Sequence, residues 1–406
     1  GLLNAATYDQ FAGAFDVFNY SWGDPQCMLN EYPDALRDKM KTGATNLRGG
    51  KGAIYVKAAG NDFHGYLADC STSASESDPV FGNANFSEDS TSPYTINVGA
   101  LSAKGQKSSY SSPGSNIWVS APGGEYGFAT SSTAIDKEPA MLTTDFQGCS
   151  SGIKRLNRLY NPFEKGTSPN GNCRHTSTMN GTSSAAPVVA GAAALLLSAN
   201  PNLTWRDVKH IFAVTADQVH ASVGVTTHPM GGNLAGHDYE QGWVTNDAGY
   251  AFHNWYGFGR INVDAAVTMA KTYVSTLGPL QETNSGNTWT IDSGPINLAI
   301  TGGSITGTTS QLNVPNTLTV EAVQVRVAAA DCIGAIGLEL TSPRGTKNIL
   351  MNINSRLLDD QIESHIFLSN AFYGEASNGP WTLKAIGGMP ACNSTLKSWQ
   401  INVIGH

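Results

Sequence analysis

Charge is scarce in this sequence. Only 14% of its 406 residues are Asp, Glu, Lys or Arg, against about 25% in an ordinary soluble domain. The formal charge of −8 argues against a surface built for nucleic-acid phosphates and leaves room for an acidic cleft that attracts basic substrates. Long apolar runs are missing too: the longest, Pro187 to Leu197, is about half of what a membrane span needs. No C-x-x-C pair occurs among the six cysteines, Cys27, Cys70, Cys149, Cys173, Cys332 and Cys392. That spacing fits disulfides better than a metal cluster and implies an oxidising compartment. Gly1-Leu-Leu-Asn shows neither an initiating Met nor a basic stretch before an apolar run. No signal peptide is read there, and the chain is expected to start inside a longer precursor.

What is present divides the chain in two, as its length suggests. Ala53 to Ala58 and Tyr94 to Ala100 read as buried strands. Asn30 to Thr42 has amphipathic helical spacing, Ala185 to Leu197 is apolar on every side, and Thr204-Trp-Arg-Asp207 reads as a capped start of a helix running to about Thr215. Strands alternating with helices imply an α/β layer fold with a mostly parallel sheet flanked by helices. After Gly278 helical periodicity stops. Leu318 to Val327, Ile336 to Leu340, Trp381 to Ile386 and Trp399 to Ile404 alternate between Gly, Asn, Ser and Pro punctuation, the texture of an all-β sandwich or jelly roll. The expected domains are 1–278 and 279–406.

Chemistry is concentrated in Asn180-Gly-Thr-Ser183-Ser-Ala-Ala-Pro187, which leads into the apolar helix. A serine at a helix N-terminus sits among unpaired N–H groups and the positive end of the dipole, where its own N–H can help bind an oxyanion. Thr182 and Ser183 can equally be simple helix caps. The full string Gly-Thr-Ser-x-Ala-x-Pro before an apolar helix resembles the nucleophile signature of the subtilase family, with Ser184 where that family usually has Met or Ala. The resemblance implies a subtilisin-like fold, here in part, and a serine peptidase in which Ser183 attacks. Ala59-Gly60-Asn61, after the strand ending at Ala58, resembles the segment whose amide completes the oxyanion hole, although Gly60-Asn61 alone is an ordinary turn dipeptide. Ser21-Trp22-Gly23 resembles the strand whose backbone pairs with an extended substrate and walls the pocket for the residue before the scissile bond.

Further stretches resemble the kexin and furin branch: Tyr256 to Ala266 at the end of the first domain, and Leu338 to Thr346 with Gly379 to Leu383 in the second, which is similar to the P domain. That branch implies cleavage after basic residues, by acids lining the pocket. Asp24 and Asp89 stand near the matching places, Asp24 two positions early. Asp69 resembles a calcium ligand, but Ser112 stands where the family has its partner Glu. Asp331, Asp359 and Asp360 lie in loops of the P domain, where they can hold structural Ca2+ or simply form turns. By the same layout, Cys27 is expected to pair with Cys70, Cys149 with Cys173 around a surface insertion at 150–172, and Cys332 with Cys392. Peptide substrates with basic residues, secretion from a bacterium, and a pro-segment or folding helper are the implied context.

A subtilase also needs an Asp and a His before the Ser-Trp-Gly segment. Only twenty residues precede Ser21 and none is a histidine; His64 and His175 do not match the family's base and read as loop residues. The triad partners are expected upstream, which would leave this stretch alone nearly inactive. The alternative is a non-catalytic relative acting as a binding module, for which Trp381 and Trp399 would be the aromatic platforms if they were exposed.

Overall fold

The computed structural model describes residues 15–32, 34–63, 82–152, 161–224, 226–227, 236–355 and 357–406. Its first half is built on a sheet of four parallel strands in sequence order: β1 Val17–Tyr20, β2 Ile54–Ala58, β3 Thr95–Leu101 and β4 Ile117–Pro122. Every residue of β2 and β3 is buried, as expected of strands covered on both faces. The register pairs Tyr20 with Lys57, so Ser21–Gly23 and Ala59–Asn61 leave the carboxyl ends of neighbouring strands side by side. That end is where open parallel sheets bind their ligands.

The helix Thr182–Ala199 packs across these strands through Ala185, Ala186, Val189, Ala193 and Leu196. Its small residues allow a close approach. Burial on every side, expected from its composition, does not hold: Pro187, Gly191 and Ala194 are exposed and Leu195 is 54% exposed. Among the described residues one face meets the sheet and the opposite face is uncovered. The helix is apolar and long enough for a membrane span by length and composition, but its packing on the sheet is that of a core helix. Thr204 and Asp207 form the expected capping box of the helix Trp205–Thr215. The helix Asp34–Gly50 starts and ends later than its periodicity indicates, and leaves helical geometry at Leu47, Arg48 and Gly49.

The second half begins its strands at Gln281 and forms two antiparallel sheets. One orders Gln281–Glu282, Ser394–Gly405, Val320–Ala330 and Gln361–Ser369; the other orders Ser304–Val314, Gly379–Gly387, Ile336–Thr341 and Lys347–Met351. Trp381 and Trp399 are fully buried between the sheets. Their N–H groups bond Ser377 O at 2.8 Å and Ser310 Oγ at 2.9 Å. They are core, not binding platforms. Cys332–Cys392 closes this half and Cys149–Cys173 closes the insertion; the Cys27–Cys70 pairing lies outside the described residues because Cys70 does.

The halves interlock. Phe86 enters the sandwich core, while Ala371 and Tyr373 of the sandwich enter the α/β core. Around these anchors the seam is polar: Asn246 Nδ2 donates to Ala371 O and Tyr373 O at 2.9 and 2.8 Å, and Asn85 Oδ1 accepts from Leu368 N at 2.8 Å. Leu29 N donates to Asp359 Oδ2 at 2.8 Å and Leu358 N to Cys27 O at 2.9 Å. The sandwich therefore braces the segment that follows the pocket wall.

Candidate active site

Ser183 lies in the first turn of the helix Thr182–Ala199, preceded by Gly181 at φ +100°, a conformation that favours glycine. Tyr110 fixes this turn: its hydroxyl accepts from Gly181 N at 2.7 Å and reaches Gly124 O at 2.6 Å. Pro187 has no N–H to give to Ser183 O four residues back. That carbonyl instead accepts the Ser21 hydroxyl at 2.9 Å, and Ser183 Oγ donates to Ser21 O at 3.2 Å. The proline in the motif thus ties the serine-bearing helix to the end of β1.

Asn61 follows Gly60, whose φ is +109° and where an added Cβ would come within 2.2 Å of Gln26 Nε2. The sense of the Asn61 amide is set by Thr182, whose N–H donates to Asn61 Oδ1 at 2.9 Å and whose hydroxyl lies 3.0 Å from the same oxygen. An N–H donor there requires the oxygen, so Nδ2 is left for the cleft. Sequence reasoning identifies Asn61 and Ser183 but misses Thr182 as the residue that aims the amide.

The cleft beside Ser183 encloses about 290 Å³ and is lined by Trp22, Gly23, Asp24, Ala59, Gly60, Asn61, Thr182 and Ser183. Six predicted site residues therefore converge with the nucleophile, and Ser21 joins through its hydrogen bonds. Asp89 is placed differently. It is 2% exposed, beneath the cleft, with Oδ2 2.7 Å from Lys57 Nζ. As a free pocket acid it is corrected, because a buried carboxylate is stable when a cation neutralises it. The signal was available: Lys57 is the single charged residue in an otherwise apolar buried strand. Asp62, also missed, lines the cleft; burial pushes its carboxyl up to about 6 against the lowering effect of the Gln26 N–H.

A larger hollow, about 430 Å³, lies on the sandwich between Asp292, Arg326, Glu363 and Lys397; its opposed charges come with no nucleophile at a helix start. Among the described residues no three His, Cys, Asp or Glu side chains gather where they could hold a metal. Asp331 and Asp360 are exposed, Asp359 holds Leu29 N, and Ser112 Oγ accepts from Asp62 N at 2.9 Å. Asp331, Asp359 and Asp360 do not make up such a group among the described residues, and Asp69 lies outside them. His64 lies outside them as well. His175 is exposed on the strand His175–Met179, and among the described residues no histidine is bonded to Ser183.

A parallel sheet, a helix that opens on a serine, and an amide aimed beside it define an α/β protein with a serine-nucleophile site. The chain belongs to the subtilase family, which matches residues 2–259, and residues 320–403 match the proprotein convertase P-domain. It is 35% identical over 404 residues to the Aeromonas extracellular serine protease of Aeromonas sobria, covering 91% of this chain and 61% of that protein. It is 27% identical over 408 residues to kexin of Saccharomyces cerevisiae, covering 96% of this chain and 40% of that one. The chain thus spans less than two thirds of the length of either relative. The crystal structure of the Aeromonas sobria serine protease in complex with a chaperone superposes with a TM-score of 0.81 at 30% identity, over 97% of this chain and 71% of that one.

Proposed function

We propose that this chain is the nucleophile-bearing part of a serine endopeptidase. The observation that carries the reading is the Asn61 amide, held by Thr182 with its N–H groups toward the cleft next to Ser183. In the proposed reaction a peptide lies extended along Ser21–Gly23 and its carbonyl carbon enters beside Ser183 Oγ. Attack forms the Oγ–C bond while the hydroxyl proton passes to a histidine base oriented by an aspartate, both supplied from upstream of Ser21. The carbonyl oxygen becomes an oxyanion, which Asn61 Nδ2 and the Ser183 N–H stabilise. Collapse breaks the C–N bond, the base returns its proton to the leaving amine, and water repeats the sequence to release the acyl group.

Secretion is supported by the two described disulfides and by the extracellular relative. A folding helper is supported by likeness to the protease found with a chaperone. For substrates, Asp24 and Asp62 give the cleft wall negative charge, which supports attraction of basic peptides without fixing which side chain enters the pocket.

The test is to treat the full-length protein from its natural source with a fluorophosphonate and map the label by mass spectrometry. Label on Ser183 in a chain heavier than 42.8 kDa is the expected result. A natural protein that takes no label on Ser183 overturns the reading and leaves a binding role.

A further inference from the structure

Beneath the pocket, Lys57 Nζ lies 2.7 Å from Asp89 Oδ2, donates to Trp22 O at 2.9 Å and stands 4.4 Å from the centre of the Trp22 ring. Asp89 Oδ1 accepts the hydroxyls of Ser87 at 2.7 Å and Ser90 at 3.2 Å. Lys57 is 1% exposed and Asp89 2%. Oδ1 is taken by the two hydroxyls and Oδ2 faces the Lys57 ammonium, so the negative charge of the acid is already neutralised where it is buried. Of the three Lys57 N–H donors, the carboxylate and the Trp22 carbonyl take two. The third is available to the cleft that Lys57, Trp22, Ser87 and Ser90 line together with Ser183.

We propose that Lys57, by holding Asp89 in a buried ion pair, closes the pocket floor to a cationic side chain, so that the residue before the scissile bond is long and uncharged and ends in a hydrogen-bond acceptor: glutamine ahead of lysine or arginine. The physical reason is twofold. An incoming ammonium or guanidinium meets Lys57 where water is largely excluded, and like charges facing across such a contact are strongly disfavoured. A glutamine carbonyl instead accepts the spare N–H without disturbing the pair, whereas glutamate brings a negative charge that the pair leaves uncompensated. A basic residue drawn in by Asp24 and Asp62 is left to the cleft wall.

The proposal rests on Ser183 being a peptidase nucleophile, and its test separates the two. One portion of the full-length enzyme is labelled with a fluorophosphonate to establish that Ser183 is reactive, and an unlabelled portion is assayed for kcat/KM on peptides that differ only in carrying Gln, Met, Glu, Lys or Arg before the scissile bond. Gln is expected to exceed Arg by about tenfold. Lys57→Met frees Asp89 and is expected to invert that ratio. Because Lys57→Met leaves a buried carboxylate alone and is liable to misfold, the double variant Lys57→Met/Asp89→Asn is measured too; it should lose the Gln advantage without gaining for Arg. Wild-type enzyme that is label-reactive yet, assayed without label, favours Arg, or a label-reactive double variant that keeps the wild-type ratio, overturns the proposal alone. Enzyme that takes no label refutes the peptidase reading and this proposal with it.

Discussion

Asp62 in the cleft and Glu321 at the seam between the halves are equally hidden, at 7% and 8% exposed, yet their carboxyls shift in opposite directions. Burial raises both. At Asp62 only the Gln26 N–H opposes it, and the group stands near 6. At Glu321 the Arg206 guanidinium, bonded through Nε at 2.9 Å and through Nη2, and His406 Nδ1 at 2.8 Å outweigh burial and hold the carboxyl below its usual range. Depth therefore does not decide the charge; the neighbours do. At the seam Glu321 is surrounded by cationic partners and serves cohesion, while in the cleft Asp62 is left under-partnered.

The largest expected effect is at the seam. Arg206→Ala removes one member of a buried pair and should cost about 3 kcal/mol of stability at pH 7, read by denaturant unfolding. Because Glu321 is depressed in the folded state, its contribution is complete above the ordinary carboxylate value of about 4.3 and is lost as pH falls below it. The variant should show a shallower loss of stability between pH 5 and 3. Its kcat/KM at pH 7 should stay near that of the wild type; a tenfold fall in folded enzyme would mean that seam and cleft are not separable. Next comes Asn61→Ala. Losing one oxyanion donor is expected to lower kcat about a hundred- to a thousandfold, while stability moves by about 1 kcal/mol. A full-rate variant would remove Asn61 from the mechanism.

How much of this was written in the sequence follows the same division. The string around Ser183, the Gly60-Asn61 turn and the Ser-Trp-Gly wall are contiguous, so their chemistry can be read locally, and alternation marks the sandwich strands as far as Ser394–Gly405. What needs distant partners could not be read. Asp89 looks like a pocket acid until β2 brings Lys57 beneath it. Asp359 reads as a loop carboxylate, and nothing local to it shows that the fold places the Leu29 N–H against it. The helix after Ser183 reads as buried all round because Ala and Gly are small on every face, and composition does not say which face meets the sheet.

The smallest effect is the one that tests the cleft side of the comparison by itself. Asp62 is raised where the seam acid is lowered, so it is neutral below about 6 and ionised above. An ionised Asp62 adds a negative charge to the wall, and a peptide with lysine at the second position before the scissile bond should gain over one with alanine there as pH rises from 5 to 7. The gain should be about two- to fivefold, since a charge pair several ångströms apart near a protein surface is worth about 1 kcal/mol or a little less after screening. Taking the ratio of kcat/KM for the two peptides at each pH cancels the titration of the catalytic base, which both substrates share. Asp62→Asn should flatten the ratio. If the variant's ratio still climbs, the charge that reads the basic neighbour resides at Asp24 or elsewhere, and the under-partnered cleft acid has no part in choosing the substrate.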